Sequence, residues 1–248
     1  MSYERPPGVG HGPGAEPLPL ASSAFAPEDT EASVALRMQI LSTEHWSLLA
    51  SRSLAWNESF SRAAMFLATV TGSIVALALV AQVSEFGQSF RLFALVILPV
   101  VLFIGVGTVL RIGESNYHDA MCVVGMNRIR AGYLELAPDL ERFFVTGTHD
   151  DVRGITKTMA IDTRRPLLVH MLAATPMMIA TLNSILLGAI VGLVAIQLGA
   201  SNPAALGVVA GGFLVGWMLH AWLARRAIAR GPVAWPPQFP SPPEEGTN

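Results

Sequence analysis

The sequence predicts an all-α, polytopic membrane protein with four transmembrane helices in two hairpins and a small helical layer on the cytoplasmic side. Three observations predict it. Between Arg165 and Arg225 the chain runs for 59 residues without an Asp, Glu, Lys or Arg. As one helix that stretch would measure about 90 Å, against roughly 30 Å of bilayer hydrocarbon, so it has to fold back once. Two further charge-free runs lie upstream, the 22 residues 63–84 and the 19 residues 92–110. Composition agrees: 52% of the chain is apolar and 14% is charged, where soluble domains carry about 25% charged residues. Mean hydropathy is +0.47.

In chain order, residues 1–27 read as a disordered tail, because Pro6-Pro7-Gly8 and Gly12-Pro13-Gly14 leave little to bury. No apolar core of signal-peptide length precedes Arg37, so the first span is expected to act as its own insertion signal. Pro27-Glu28-Asp29-Thr30-Glu31 places acids in the first turn of a helix. From Ala32 to Arg62 no Pro or Gly interrupts, and Val34, Met38, Leu41 and Leu48 recur near helical spacing. Residues 28–62 are therefore an amphipathic helix leading into the first hairpin, 63–110. Few Lys and Arg line its polar face, so it is expected to pack on protein rather than lie on lipid.

Residues 111–165 balance eight basic against eight acidic residues and break at Pro138 and near Gly147. They predict helices over 113–137, 138–145 and about 150–163, with His149-Asp150-Asp151 as the start of the last. Met121, Val124, Ile129, Tyr133 and Leu136 give the first of these a buryable side. The second hairpin, 166–228, turns at Gly199-Ala200-Ser201-Asn202-Pro203. Pro99 and Pro176 are expected to kink spans two and three. Residues 229–248 form a proline-rich tail, either disordered or extended polyproline.

Basic residues are partitioned by side. The connection 85–91 holds one, Gly199 to Pro203 holds none, and the other side holds 15 of 16. The positive-inside rule then puts both termini and the middle segment in the cytoplasm. Cys122 is the single cysteine, so an intramolecular disulfide is ruled out. No basic tract of nucleic-acid type appears, and no nucleic-acid partner is expected.

Candidate functional residues fall into two groups. Trp46, Trp56, Phe60 and Arg62 are interface anchors on the N-terminal helix, with docking on the chain's own middle segment as the alternative. Gly188-x-x-x-Gly192, Gly207-x-x-x-Gly211 and Gly212-x-x-x-Gly216 permit close helix approach, either within the hairpin or between copies. The second group could ligate a metal. His170 and His220 fall near the inner ends of their spans, and Glu114 and His118 share a helix face with Asp119 adjacent. Interfacial histidines and a solvated helix face are the plainer readings. His149-Asp150-Asp151 could bind a cation, though a helix cap explains it more simply.

No phosphate loop, nucleophile elbow, zincin motif or cysteine cluster is present, and no cofactor is expected. The spans hold no carboxylate, Lys or Arg, which argues against ion-coupled transport. The stretch from Leu41 through Trp46 and Trp56 to Arg62 resembles a group of uncharacterised bacterial integral membrane proteins. The layout is also similar to the two-span SLATT effectors, which implies an oligomeric pore, although this chain adds a second hairpin. A bacterial inner-membrane, non-enzymatic scaffold, assembly factor or pore subunit is expected, with the bilayer and either self-association or a membrane-protein partner. The alternative is a membrane-embedded metal enzyme or metal-ion transporter.

Overall fold

The structure, a computed structural model, describes residues 31–161, 174–234 and 236–243, without the side chains of 228–234. The tail 1–27 and the candidate ligand His170 lie outside the described residues. Contacts divide the chain into Met1–Gln39 and Ile40–Asn248. In the first, residues 31–39 are helical and mostly exposed. All that follows concerns the second.

Among the described residues the fold has five α-helices, one 3-10 helix and no strand. They are α1 (Glu31–Ser84), α2 (Gln88–Leu136), the 3-10 helix Pro138–Phe143, α3 (Val152–Thr158), α4 (Thr175–Gln197) and α5 (Asn202–Ala234). Four of them, α1, α2, α4 and α5, are long and apolar enough to cross a membrane. The apolar windows of α2 and α4 are 28% and 33% buried, those of α1 and α5 only 11% each. The middle pair therefore carries the packing between hairpins, and the outer pair shows most of its apolar surface.

Helix α1 runs through Asn57–Met65 without a break, because nothing in that stretch stops a helix. Helix α2 behaves the same way at Arg111, which corrects the separate helix expected from 113. A change from apolar to charged composition alters which solvent a helix suits but removes no backbone hydrogen bond, so it ends nothing. The turn between them spans only Glu85, Phe86 and Gly87. Glu85 and Phe86 take φ of 47° and 59°, and Gly87 N–H donates to Ser84 O at 2.7 Å.

The α1–α2 pair is an antiparallel hairpin with a heptad-like seam. On α2 the buried positions 94, 98, 101, 105, 108, 112, 115, 119, 122, 126 and 129 alternate spacings of four and three. That is a sustained period of 3.5, the pattern that keeps one seam facing a partner helix. On α1 the inward positions 41, 45, 48, 52, 55, 59, 63, 66 and 70 nearly match it. Phe66 faces Gly105, Arg52 faces Asp119, Leu48 faces Gly125 and Leu41 faces Gly132. Three of these are knobs set over glycines. At Gly105 an added Cβ would stand 2.6 Å from Phe66 Cε2, and at Gly125 2.8 Å from Leu48 Cδ1. Cys122 is buried in this seam. Met121, expected on the buried side, is 41% exposed, because the 3.5 repeat turns position 121 outward.

Helix α4 joins the first hairpin through Ile179, which is fully buried with Ala63, Phe66, Val101 and Ile112. Pro176 sits in the first turn of α4 and cannot kink it, since the N–H it lacks has no partner there anyway. Pro99 does lie inside α2. The reversal at Gly199 falls where the turn signal put it. Gly199 takes φ of 89°, its N–H donates to Ile196 O, and Ala200 N–H donates to Ala195 O, both at 3.0 Å. This is a Schellman cap, and the left-handed residue is the glycine that tolerates it.

Candidate functional site

Beyond Arg62 on α1 and Arg111 on α2, the hairpin continues as a charged extension, and the chain's polar side chains concentrate there. Three clusters lie along it, taken outward from the apolar part.

At the boundary Glu58 accepts from Arg62 Nε and Arg111 Nε, both at 2.9 Å, and Arg111 Nη1 reaches Glu114 at 2.7 Å. The Arg111 and Arg62 guanidiniums hold the Glu58 carboxyl below its ordinary pKa, and the Arg111 guanidinium is raised in turn. These groups are largely exposed, so the cluster fixes position more than it adds stability. Arg62 belongs to it rather than to a free surface.

About two helical turns further out, Asp119 accepts from Arg52 Nε at 2.6 Å and Trp56 Nε1 at 2.9 Å. Asp119 is 7% exposed. Trp56 packs edge-on against Phe60 with ring centroids 5.9 Å apart, and the Arg52 guanidinium lies 5.8 Å from the Trp56 ring. The Trp56 N–H thus docks on the chain's own helix, while its ring and Phe60 stay about half exposed. Trp46 is 68% exposed.

The candidate ligands Glu114, His118 and Asp119 do not converge. Glu114 is turned to Arg111, Asp119 is filled by Arg52 and Trp56, and the His118 ring lies 3.9 Å from the buried Cys122 sulfur. His220 Nδ1 is 2.8 Å from Gly216 O, one turn back on its own helix. Among the described residues no group of three His, Cys, Asp or Glu side chains is placed to hold a metal.

At the far end of α2, Asn127 is fully buried and serves as a hub. Its Nδ2 donates to His149 O at 2.7 Å, and its Oδ1 accepts from Arg130 Nη1 and Thr158 Oγ1, both at 2.8 Å. Thr158 Oγ1 in turn accepts from Gly147 N–H at 3.0 Å. Burial, then the Arg52 charge, pull the Arg130 guanidinium below its usual pKa, and burial, then Arg130, do the same to His45. The His45 ring is stacked on Tyr133 with centroids 6.3 Å apart.

The aspartates of the His149-Asp150-Asp151 motif take separate roles. Asp151 caps α3 by accepting from Gly154 N–H at 2.8 Å. Asp150 is buried and paired to Arg128 at 2.7 Å. Both also hold residues 236–243, part of the proline-rich tail. Asp150 accepts from Gln238 and Phe239 N–H, and Asp151 from Ser241 N–H, each at 2.8 Å. Helix α3 ends at Thr158 and the preceding 3-10 helix at Phe143, so both are shorter than the helices expected over 150–163 and 138–145.

Burial works to raise both carboxyls, but the bonds from Gln238, Arg128 and Phe239, and from Gly154 and Ser241, outweigh it and lower their pKa values. A lowered carboxylate pKa contributes stability that is present above the unfolded value and lost as pH falls through the folded one. Residues 236–243 are thus expected to stay bound through neutral and mildly acidic pH and to release below about pH 4, the ordinary carboxylate range. Protease accessibility of the tail against pH checks this.

The small-residue candidates divide into two sets. Gly188, Gly192, Gly212 and Gly216 lie in the α4–α5 contact: an added Cβ at Gly188 would stand 2.7 Å from Val209 O, and one at Gly212 3.1 Å from Gly188 Cα. Gly207 and Gly211 meet nothing within 4 Å. One polar residue in this apolar region was not legible from composition. Asn183 on α4 is 1% exposed, beside Gly105 and Phe66, and neither end of its amide has a hydrogen-bond partner. Two orphaned buried groups cost about 1–3 kcal/mol each. Asn183→Leu is therefore expected to raise the unfolding temperature in detergent.

Comparison with protein-family models, with curated proteins and with solved structures finds no match. The geometry alone bears on function.

Arg52, Arg128, Asn127 and the 236–243 segment were missed as site residues. The 3.5 repeat along α2 is a readable signal for the first, since position 119 falls on its seam. The other three depend on contacts that close loops of 22 to 108 residues.

Proposed function

We propose that this chain is a non-enzymatic integral membrane protein of the bacterial inner membrane, acting as an oligomeric or partner-bound scaffold, assembly factor or pore subunit, with both termini cytoplasmic. Aromatic residues support the placement. Phe60 on α1 and Phe86 in the turn after it bracket the first span, and the helix from Phe60 to Ser84 is about 36 Å long, close to the thickness of a bilayer with its interfaces. The Arg226 guanidinium lies over the Trp222 ring, 4.3 Å from its centroid, at the charged end of α5.

The carrying observation is the outer face of the α1 extension. Ile40, Trp46 and Leu54 are 59%, 68% and 70% exposed, and they fall within about 120° of one another around the helix. Trp46 stands about 24 Å beyond Arg62 along the axis, past the reach of lipid tails. Large apolar side chains turned to water on a rigid helix mark a surface that another protein covers. The Glu114, His118 and Asp119 arrangement gives the metal-dependent alternative no comparable support.

The experiment is the mass of the complex extracted gently from its native membrane, with its components identified. A homo-oligomer or a defined hetero-complex is expected, and it should fall apart in Trp46→Glu. A bare monomer in the native extract sinks the reading.

A further inference from the structure

The described tail residues 236–243 read Pro-Pro-Gln-Phe-Pro-Ser-Pro-Pro, so only Gln238, Phe239 and Ser241 have a backbone N–H. Every one of those three N–H groups donates to an aspartate carboxylate: Gln238 to Asp150 Oδ2, Phe239 to Asp150 Oδ1 and Ser241 to Asp151 Oδ2. Prolines, which have no N–H to satisfy, occupy the other five positions. Carbonyls are read as well. Arg128 Nη2 donates to Pro236 O at 3.0 Å, and Asp150 N–H donates to Phe239 O at 3.2 Å. Ser241 Oγ adds a bond to Asp151 Oδ1 at 3.0 Å.

The cradle is built rather than incidental. The Asp150 side chain is fully buried, and Arg128, itself on α2, holds it in place. The loop behind it is braced by close backbone approaches: a Cβ on Gly147 would stand 3.1 Å from the Gly154 carbonyl carbon, and one on Gly154 2.6 Å from the His149 carbonyl carbon. Asn127 fixes that same His149 carbonyl. A carboxylate pair, Asp150 buried and Asp151 half-buried, aimed at backbone N–H groups is a means of recognising an extended peptide by where its prolines are not.

We propose that Arg128, Asp150 and Asp151 form a recognition site for an extended proline-rich peptide, and that its resident ligand is this chain's own C-terminal segment 236–243, bound in cis as a releasable latch. The latch ties the end of α5 to the extension of the first hairpin, and its Ser241, Pro242 and Pro243 line a cleft of about 410 Å³ together with Arg153 and Lys157. Few apolar contacts are needed to hold it, because prolines lose little entropy on ordering. A peptide of the same sequence supplied from outside competes for the same N–H acceptors.

The test uses the full chain with a spin label at Pro243→Cys, the native Cys122 being buried and slow to react. An immobilised label is expected at neutral pH. Titration with a synthetic peptide of residues 236–243 should free it saturably, and the same peptide carrying Gln238→Pro, which lacks one N–H, should need at least tenfold more. In the Asp150→Asn, Asp151→Asn double variant the label should be mobile from the start. If that variant fails to fold, displacement on the otherwise unaltered chain decides the matter. A label mobile in the unaltered chain, one still held in the folded double variant, or equal displacement by both peptides overturns the proposal. A two-copy complex that the peptide returns to single copies overturns the cis assignment by making a second copy the donor.

Discussion

Asp119→Ala is expected to destabilise the α1–α2 hairpin by about 3 kcal/mol, the scale for breaking a buried ion pair from one side. Two groups lose their acceptor at once. Arg52, whose side chain is 22% exposed, is left as a largely buried cation, and the Trp56 N–H loses its bond. Denaturant unfolding in detergent, followed by tryptophan fluorescence, measures the loss. Asp119→Asn keeps an acceptor for Trp56 and should cost less. In the double variant Arg52→Met, Asp119→Leu most of the loss should return, because a matched apolar pair leaves no charge stranded. A full loss in the double variant would mean the site holds something other than this pair.

Gly188→Leu is expected to be more disruptive, since the obstacle is backbone. Its Cβ would meet Val209 O at 2.7 Å and Phe213 N at 3.3 Å, and neither can rotate away. The α4–α5 hairpin has to open along the whole Gly188, Gly192, Gly212 face, and overpacking of this kind costs about 1–3 kcal/mol or more. Failure to reach the folded, detergent-stable form is the expected readout. Gly207→Leu is the matched control, with open space around it. It should leave the fold intact. If the proposed assembly uses Gly207 and Gly211 as its contact, the same variant should reduce the mass of the complex without changing the thermal stability of the single chain.

Charge-free runs at 63–84, 92–110 and 166–224 are local, and their helices follow because each backbone bond closes within four residues. Gly199 as a helix stop and Asp151 as a cap are equally local: the acceptors for Gly199 lie three residues away, and the donor to Asp151 is three residues on. Pro176 shows the limit even there. A proline is a kink inside a helix and harmless in its first turn, and only the actual start at Thr175 tells which applies.

Residues whose partners lie far along the chain could not be assigned in this way. Asp119 looked like part of a possible ligand set beside His118 because i and i+4 neighbours are all a sequence displays. Its true partners are 63 and 67 residues away. The proline-rich tail reads from its sequence as either disordered or extended polyproline. It is held because Asp150 and Asp151, about 90 residues upstream, supply its hydrogen-bond acceptors. By itself the sequence determined which segments are apolar, where they turn and how their helices are capped, since those depend on local propensity and transfer energy. Only the tertiary structure decided which carboxylate meets which donor, because that depends on the register of α1 against α2 and on where α5 ends, and long-range geometry leaves no mark on neighbouring residues.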